Sequence, residues 1–205
     1  MSEASTTRTP LLLVRHGETP WNREGRWQGQ ADPPLTPQGQ AQAQALASAL
    51  AARSSRPWSR IVTSDLCRAS QTANALAEAL SLPLELDRRL RERDVPGWSG
   101  RLREEIERTD PLNLRAFLSG DPSVRPGGGE TDEELVARGG AAIKDLVQRF
   151  AGESLILVSH LGWINALVPE VRPGNAEATE VDAEQVLARL VPSSGGRKGS
   201  GDLVL

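Results

Sequence analysis

The chain has 205 residues, a formal net charge of -3, two His, one Cys and five Trp. This length suits a single hydrophobic core, and 38% apolar with 25% charged residues is typical of a folded protein rather than a disordered one. The slight negative charge argues against nucleic acid and anionic membranes as partners, because both attract basic surfaces. One Cys excludes an internal disulfide, and the two His and one Cys are too few for a structural zinc site.

Residues 1–8 are polar and are expected to form a disordered tail before a single domain over residues 9–205. This start lacks the basic residues and apolar run of a secretory signal. No apolar stretch approaches the roughly 20 residues that span a bilayer. Together with the single Cys, these features predict a cytoplasmic location.

In the first half of the chain, short apolar runs alternate with helical patterns. Leu11–Val14 is typical of a buried strand, and a polar loop is expected to follow as far as Asp32. Thr36 before a Pro predicts the start of a helix that continues over residues 38–52. The next expected elements are a strand, a helix with one apolar face, and an edge strand: Ile61–Thr63, Asp65–Leu80 and Leu84–Leu86.

The second half resumes this alternation after a region of weaker patterns. Short helices are expected at Leu102–Arg108 and Leu112–Leu118, and Thr131 with Glu134 forms a capping box for a long helix that ends at Phe150. The remaining expected elements are a strand, a short helix, a second strand, a segment that fits either a strand or a helix, and a last strand: Ser154–Ser159, Gly162–Leu167, Glu177–Asp182, Gln185–Val191 and Leu203–Leu205. Alternating strands and helices predict an α/β fold with a mostly parallel sheet.

Both His follow the same kind of sequence, an apolar strand and one polar residue, with a Gly soon after. His16 follows the first strand and His160 follows the strand at Ser154–Ser159. Ligands of open α/β sheets bind outside the carboxyl ends of the strands, so the two His are expected to meet in one pocket. For either His alone, a buried His with only a structural role is the simpler interpretation. The two together favour a shared site.

Two Arg are expected at the same edge of the sheet. Arg15 precedes His16, and Arg68 lies one turn into the helix after the second strand. Guanidinium groups bind phosphate oxygens in pairs, so this cluster suits a dianionic phosphate. A surface ion pair between Arg68 and Asp65 fits the sequence equally well. A nearby Arg lowers the pKa of His16 and leaves a neutral imidazole that can attack phosphorus to form a phosphohistidine.

The leaving alcohol of such a reaction needs a proton, so a carboxylic acid is expected beside the two His. The residues alone do not choose among five candidates: Glu18, Asp32, Glu92, Asp94 and Glu130.

Five motifs follow one another along the chain: LVRHGET at 13–19, TSDLCRASQTA at 63–73, LRERD at 90–94, PGGGET at 126–131 and LVSHLG at 157–162. In order and approximate spacing, from residue 11 to about residue 168, they resemble the histidine phosphatase superfamily. The similar branch contains cofactor-dependent phosphoglycerate mutases and small phosphatases. The resemblance implies one catalytic domain with a phosphoglycerate mutase-like fold, a three-layer α/β/α sandwich around a mostly parallel sheet.

The resemblance also implies a role for each residue of the pocket. His16 would be the nucleophile that becomes phosphorylated, while Arg15, Arg68 and His160 would hold the phosphoryl oxygens. Glu92 would protonate the leaving oxygen and then activate water. No metal and no other cofactor is implied, because the side chains supply the positive charge.

Three further positions complete the expected site. Asn22 and the backbone N–H at Gly162 would donate hydrogen bonds to the phosphate. Trp21 and Trp163 are candidates for contact with an apolar or ring-bearing substrate. The other Trp are expected to pack loops and strands: Trp27, Trp58 and Trp98.

The segment over residues 100–127 is short and lacks the lid pattern of the mutases. Because an open pocket admits water, this favours a metal-independent phosphomonoesterase acting on a small phosphorylated metabolite. A mutase stays as one alternative. A non-catalytic domain that binds a phosphorylated ligand is another, although a binder needs no acid such as Glu92.

The sequence departs from the family pattern at two places. Leu161 stands where a small residue is common. The segment after His160 is short, which puts one wall of the pocket in doubt and favours an exposed sheet edge that pairs in a homodimer.

Overall fold

The computed structural model describes residues 9–53 and 58–190, and in this part of the chain five strands form one sheet in the order β3-β2-β4-β1-β5. The strands are β1 at Pro10–Arg15, β2 at Arg60–Thr63, β3 at Leu84–Leu86, β4 at Leu155–Ser159 and β5 at Ala178–Asp182. Four are mutually parallel, while β5 pairs antiparallel with β1. The predicted mostly parallel α/β sheet is therefore confirmed, with β3 on one edge.

Eight α-helices connect or flank these strands within the described residues: α1 at Pro20–Glu24, α2 at Pro37–Ala51, α3 at Cys67–Leu80, α4 at Arg103–Thr109, α5 at Pro111–Leu118, α6 at Asp132–Arg149, α7 at Leu161–Leu167 and α8 at Ala183–Leu190. Short 3₁₀ turns lie at Arg88–Leu90 and Pro126–Gly128. None of these helices is long and apolar enough to cross a membrane.

One expectation is corrected in this part of the chain, and one open alternative is decided. The loop predicted up to Asp32 contains α1, because Thr19 and Asn22 form a capping box and a Pro occupies the first turn. For the segment Gln185–Val191, which fits either a strand or a helix, the helix is confirmed, since α8 covers it as far as Leu190 and buries Val186 in the core. The strand predicted at Leu203–Leu205 and the tail over residues 1–8 lie outside the described residues.

The sheet buries a different set of side chains on each face. On one face, Leu13 and Leu157 pack with residues of α6, α7 and α8, including Ile143. On the other, Val14 and Val158 pack with residues of α2 and α3. Successive strand residues point to opposite faces, so a central strand covered by helices on both sides is apolar throughout. The structure thus has the three-layer α/β/α arrangement.

The register of β1 and β4 positions the two His. These strands are parallel neighbours, and Val14 pairs with Val158 while Arg15 pairs with Ser159. The next residue after each strand is a His, so the two imidazoles leave the sheet side by side. The N–H of His16 also donates to the carbonyl of Ser159, at 3.1 Å.

A close approach of two Gly fixes the loop directly after His16. A Cβ on Gly17 would collide with the carbonyl of Gly39, and a Cβ on Gly39 would collide with the backbone of Glu18. Thr36 caps α2, because its Oγ1 accepts from the N–H of Gly39 at 2.9 Å. The loop therefore packs tightly on the start of α2.

A third apolar cluster lies outside the two faces of the sheet. It joins α4 and α5 to the loops around Trp27 and Trp98, with Phe117 of α5 between them. Trp27 meets Trp98 edge to face at 5.0 Å between ring centroids, and Phe117 at 5.5 Å. This cluster makes the short segment over residues 100–127 an ordered wall beside the carboxyl edge of the sheet.

Candidate active site

The two His lie together at the carboxyl edge of the sheet, as the sequence predicts. Their ring centroids are 5.1 Å apart, with an angle of 57° between the rings. His16 is 3% exposed and His160 is fully buried. His16 lines a pocket, whereas His160 is not among the residues that line it.

Hydrogen bonds assign the tautomer of His16. Its Nδ1 is 2.7 Å from the carbonyl of Gly17, an acceptor, so the proton belongs on Nδ1. The N–H of Gly17 donates in turn to Thr72 Oγ1, at 3.0 Å. On the other side of the ring, Arg68 Nε donates to Nε2 of His16, at 3.3 Å. The lone pair of Nε2 therefore faces Arg68.

Burial keeps both imidazoles neutral. The pKa of His16 is well below its usual value of 6.5, first because of desolvation and then because of the nearby positive charges of Arg68 and Arg15. Desolvation, Arg68 and His16 likewise lower the pKa of His160. From the Arg charges, the sequence predicts that the pKa of His16 is lowered, but the burial of the ring is the larger cause of this shift.

Arg68 is a buried part of the site rather than a surface residue paired with Asp65. Its Nη1 donates to the carbonyl of Ala31 at 2.7 Å and its Nη2 to the carbonyl of Gly29 at 2.8 Å. Burial lowers the pKa of Arg68 to about 10, which still leaves it charged near neutral pH. Asp65 instead pairs with Arg91, at 2.6 Å.

Arg15 contacts the short segment that follows α7. Its Nη1 donates to the carbonyl of Pro173 at 3.2 Å, and Asn175 Nδ2 donates to the carbonyl of His16 at 3.2 Å. The Nε of Arg15 is buried and has no hydrogen-bond partner within residues 9–53 and 58–190. Burial lowers the pKa of Arg15, whereas Glu92 and then Glu177 oppose that change. The short segment thus rebuilds one side of the site.

Ser64 holds His160 in place. His160 Nε2 lies 2.9 Å from Ser64 Oγ, which also accepts from the N–H of Leu66 at 3.3 Å. The Nδ1 of His160 is buried and has no partner among the residues that the structure describes. Because Ser64 holds Nε2, an N–H on Nδ1 would be a donor without an acceptor among these residues.

Glu92 is the one of the five candidate acids that lines the pocket. Its Oε2 accepts from the N–H of Gly162 at 3.0 Å, and its Oε1 accepts from the N–H of Arg93 at 2.8 Å. A Cβ on Gly162 would collide with this carboxylate. In the structure the N–H of Gly162 therefore holds Glu92, and its expected hydrogen bond to phosphate stays a prediction.

The other four candidate acids do not line the pocket, and the side chains of Glu18, Asp32 and Glu130 have structural contacts. Glu18 Oε1 accepts from Thr36 Oγ1 at 2.8 Å. The side chain of Asp32 accepts from the N–H of Cys67, at 2.6 Å, and so caps α3. Glu130 pairs with Arg138 at 2.8 Å, and the carbonyl of Asp94 accepts from the N–H of Glu130 at 2.9 Å.

Asn22 and Trp21 both line the pocket, as expected. Asn22 Oδ1 accepts from Thr19 Oγ1 at 3.0 Å and from Asn175 Nδ2 at 3.3 Å. These bonds leave the amide nitrogen of Asn22 as the end of the side chain that can donate to a ligand. Leu161, the large residue at an expected small position, also lines the pocket.

The candidate contact at Trp163 is wrong. This side chain is fully buried in the core, and its Nε1 donates to the carbonyl of Arg89 at 2.9 Å. Trp27 has a larger part than expected, since it lines the pocket as well as packing. Trp98 is 1% exposed and packs as predicted.

Several contributors to the site carry no sequence signal of their own. The carbonyls of Gly29 and Ala31 act through the backbone, which every residue has. Asn175 and Phe117 lie far from the motifs, so only the fold brings them close. Thr72 is the exception in this group, because it lies within the second motif. Across residues 9–53 and 58–190, no group of three or more His, Cys, Asp or Glu side chains forms a metal site.

The fold and the site together suit an enzyme that binds a phosphoryl group. The model of the histidine phosphatase superfamily (branch 1) matches residues 11–186. The chain therefore belongs to this superfamily.

Similar proteins include both phosphatases and mutase-like proteins. Phosphoglycerate mutase-like protein 4 of Arabidopsis thaliana is 34% identical over 173 residues, covering 83% of this chain and 74% of the relative. Metal-independent phosphoserine phosphatase of Arabidopsis thaliana is 36% identical over 184 residues, covering 89% and 76%. The structure of mycobacterial glucosyl-3-phosphoglycerate phosphatase in complex with VO3 has a TM-score of 0.75 and 32% identity, covering 84% of this chain and 90% of that chain. These matches support a phosphatase.

The burial of two neutral His predicts a loss of stability in mild acid. Their pKa values in the folded state lie below the unfolded value of 6.5. As pH falls through 6.5, the unfolded chain therefore binds protons first, and the free energy of unfolding decreases by up to about 1.4 kcal/mol per pH unit for each His. Urea denaturation between pH 7 and pH 5 measures this slope.

The double variant His16→Gln/His160→Gln is the control, because the chain has no other His. Carboxylates titrate in both proteins, so their contribution cancels when the two pH dependences of the free energy of unfolding are subtracted. We expect the wild type to lose more stability than the double variant between pH 7 and pH 5. Parallel slopes would show that the folded pKa values are not lowered.

Proposed function

We propose that this protein hydrolyses a small phosphomonoester without a metal ion, through a phosphohistidine on His16. The observation that carries the proposal is the position of His16 Nε2, whose lone pair faces Arg68 beside the pocket that Glu92 also lines. A neutral imidazole is the nucleophilic form, and burial with two nearby Arg favours it at neutral pH. The phosphatases among its relatives support the same reaction.

In the first step, His16 Nε2 attacks phosphorus and the bond to the ester oxygen breaks. Glu92 in its protonated form gives a proton to that oxygen, so a neutral alcohol leaves. Arg15 and Arg68 bind the phosphoryl oxygens, and the Nε of Arg68 transfers its hydrogen bond from His16 to the ligand. Positive groups held in place before reaction stabilise the charge that spreads over the transferred group.

In the second step, the Glu92 carboxylate takes a proton from water, and that water attacks phosphorus. The bond to His16 breaks, inorganic phosphate leaves, and Glu92 is again protonated for the next cycle. The unpartnered Nδ1 of His160 suits a donor to a phosphoryl oxygen in both steps. Asn22 donates from its amide nitrogen.

A small-molecule phosphate ester is the proposed substrate, because the catalytic groups line a pocket rather than an extended surface. The slightly negative net charge of the chain argues against nucleic acid or a membrane as a partner. A single Cys favours a reducing, cytoplasmic location. A homodimer through an exposed sheet edge remains a prediction from the short segment after His160.

Removal of the nucleophile tests the reaction. We expect phosphate release from small monoesters to continue in EDTA and to fall to background in His16→Ala, because this variant lacks the imidazole that attacks phosphorus in the proposed mechanism. Circular dichroism of the variant controls for loss of fold. Full activity in His16→Ala would overturn the mechanism, and transfer of phosphate without net release would favour the mutase instead.

Removal of the acid tests the role of Glu92. In Glu92→Gln, kcat/KM for an alkyl phosphate is expected to fall about 10²- to 10⁴-fold, because a poor leaving group needs the proton. For 4-nitrophenyl phosphate, whose phenolate leaves unaided, we expect a loss below about tenfold. Equal losses for the two esters would show that Glu92 does not protonate the leaving oxygen.

A further inference from the structure

We propose that the pocket selects phosphate esters of uncharged, apolar alcohols that carry a ring. This inference rests on the proposed phosphatase function and names its substrate class. It follows from the part of the pocket beyond the phosphoryl group, where the leaving alcohol must lie.

Two chemically distinct sets of side chains line the pocket. One set consists of the polar groups assigned to the phosphoryl group: Arg15, His16, Asn22, Arg68 and Glu92. The side chains that line the rest, apart from one amide and two Arg, are apolar: Trp21, Trp27, Val95, Phe117 and Leu161. An alcohol that extends from the phosphoryl group therefore lies against aromatic and aliphatic surface, which stabilises apolar groups by removing them from water.

The aromatic wall is rigid. Trp27 and Phe117 each pack edge to face with the buried Trp98, at 5.0 and 5.7 Å between ring centroids. Trp21 lies over Gly100, where a Cβ would come within 3.3 Å of the indole and where φ is +78°. A wall fixed in this way binds a flat ring at little cost in side-chain entropy.

The two remaining Arg of the pocket are already paired, so they are poor receptors for a carboxylate on the substrate. Arg93 forms an ion pair with Asp132, and its guanidinium lies over the ring of Phe117 at 5.4 Å from the centroid. Arg26 donates to Glu24 at 2.7 Å and to the carbonyl of Gly100 at 2.8 Å.

A negatively charged alcohol would thus lose its hydration without gaining an unpaired cation beyond those assigned to the phosphoryl group. Burial of an unpaired carboxylate against apolar surface is costly, whereas burial of a ring is favourable. The pocket therefore distinguishes the two kinds of ester in two ways: it stabilises an apolar ring, and it disfavours a carboxylate.

Two primary alkyl esters with similar leaving groups test this selectivity: 2-phenylethyl phosphate and the phosphate ester of 3-hydroxypropionate. We expect kcat/KM to be at least about tenfold higher for the phenyl ester. Equal values, or a preference for the carboxylate, would overturn the inference and leave the hydrolytic mechanism intact.

A pair of Leu variants locates the selectivity. Leu161→Ala is expected to lower kcat/KM for the phenyl ester about three- to tenfold, with a change below about twofold for the carboxylate ester. Leu112→Ala is the matched control, because Leu112 is 73% exposed on α5 and does not line the pocket. The control is expected to leave both values unchanged. Equal effects of Leu161→Ala on the two esters would place the selectivity elsewhere and contradict the inference.

Binding of non-hydrolysable analogues separates this inference from the proposed reaction. Calorimetry compares the affinities of 3-phenylpropylphosphonate and 4-phosphonobutyrate. These compounds correspond to the two esters, with a methylene group in place of the ester oxygen. Tighter binding of the phenyl compound supports the proposed selectivity, whether or not the esters are hydrolysed. A lack of hydrolysis would overturn only the proposed reaction. Equal or reversed affinities overturn the inference even if both esters are hydrolysed.

Discussion

The parallel pairing of β1 with β4 is the constraint on which the site depends. These two strands are far apart in sequence, yet their register ends each at the same level of the sheet, with Arg15 opposite Ser159. The residue after each strand is a His, so the pairing brings the centroids of the two imidazole rings to 5.1 Å from each other. Neither strand alone can form the pocket, and a shift of register would separate the rings.

Burial then determines the charge of the site. Both His are removed from water and lie near Arg side chains, which disfavours the imidazolium form. Arg68 stays charged near neutral pH, because burial lowers its pKa only to about 10 while Glu92 and Asp32 oppose that change. Carbonyls of the loop before α2 accept from both of its terminal nitrogens. The arrangement is costly to the folded state in acid and favourable for chemistry at neutral pH, since it holds a neutral nucleophile next to fixed positive charge.

The sequence predicts the main features of the fold and site because their signals are local. Apolar runs locate the central strands, and a His after each of two strands indicates a shared pocket. The resemblance adds Glu92, which the residues alone do not distinguish from four other acids.

Features that depend on tertiary packing were not predictable in this way. Trp163 is an example, since the face of α7 that enters the core is known only once α6 is in place. The N–H of Gly162 is another, because its partner Glu92 lies on a different segment. The ordered wall formed by Phe117 requires the packing of α5 on two Trp from distant loops.

In the proposed mechanism, His16 carries the phosphoryl group on Nε2. Phosphorus NMR of the phosphoenzyme, formed from a good phosphoryl donor and denatured in alkali, identifies the phosphorylated ring nitrogen, and peptide mapping identifies the residue. We expect an Nε2-phosphohistidine at residue 16, because Nδ1 is held by the carbonyl of Gly17. Phosphate on Nδ1, on His160, or on no histidine would contradict it.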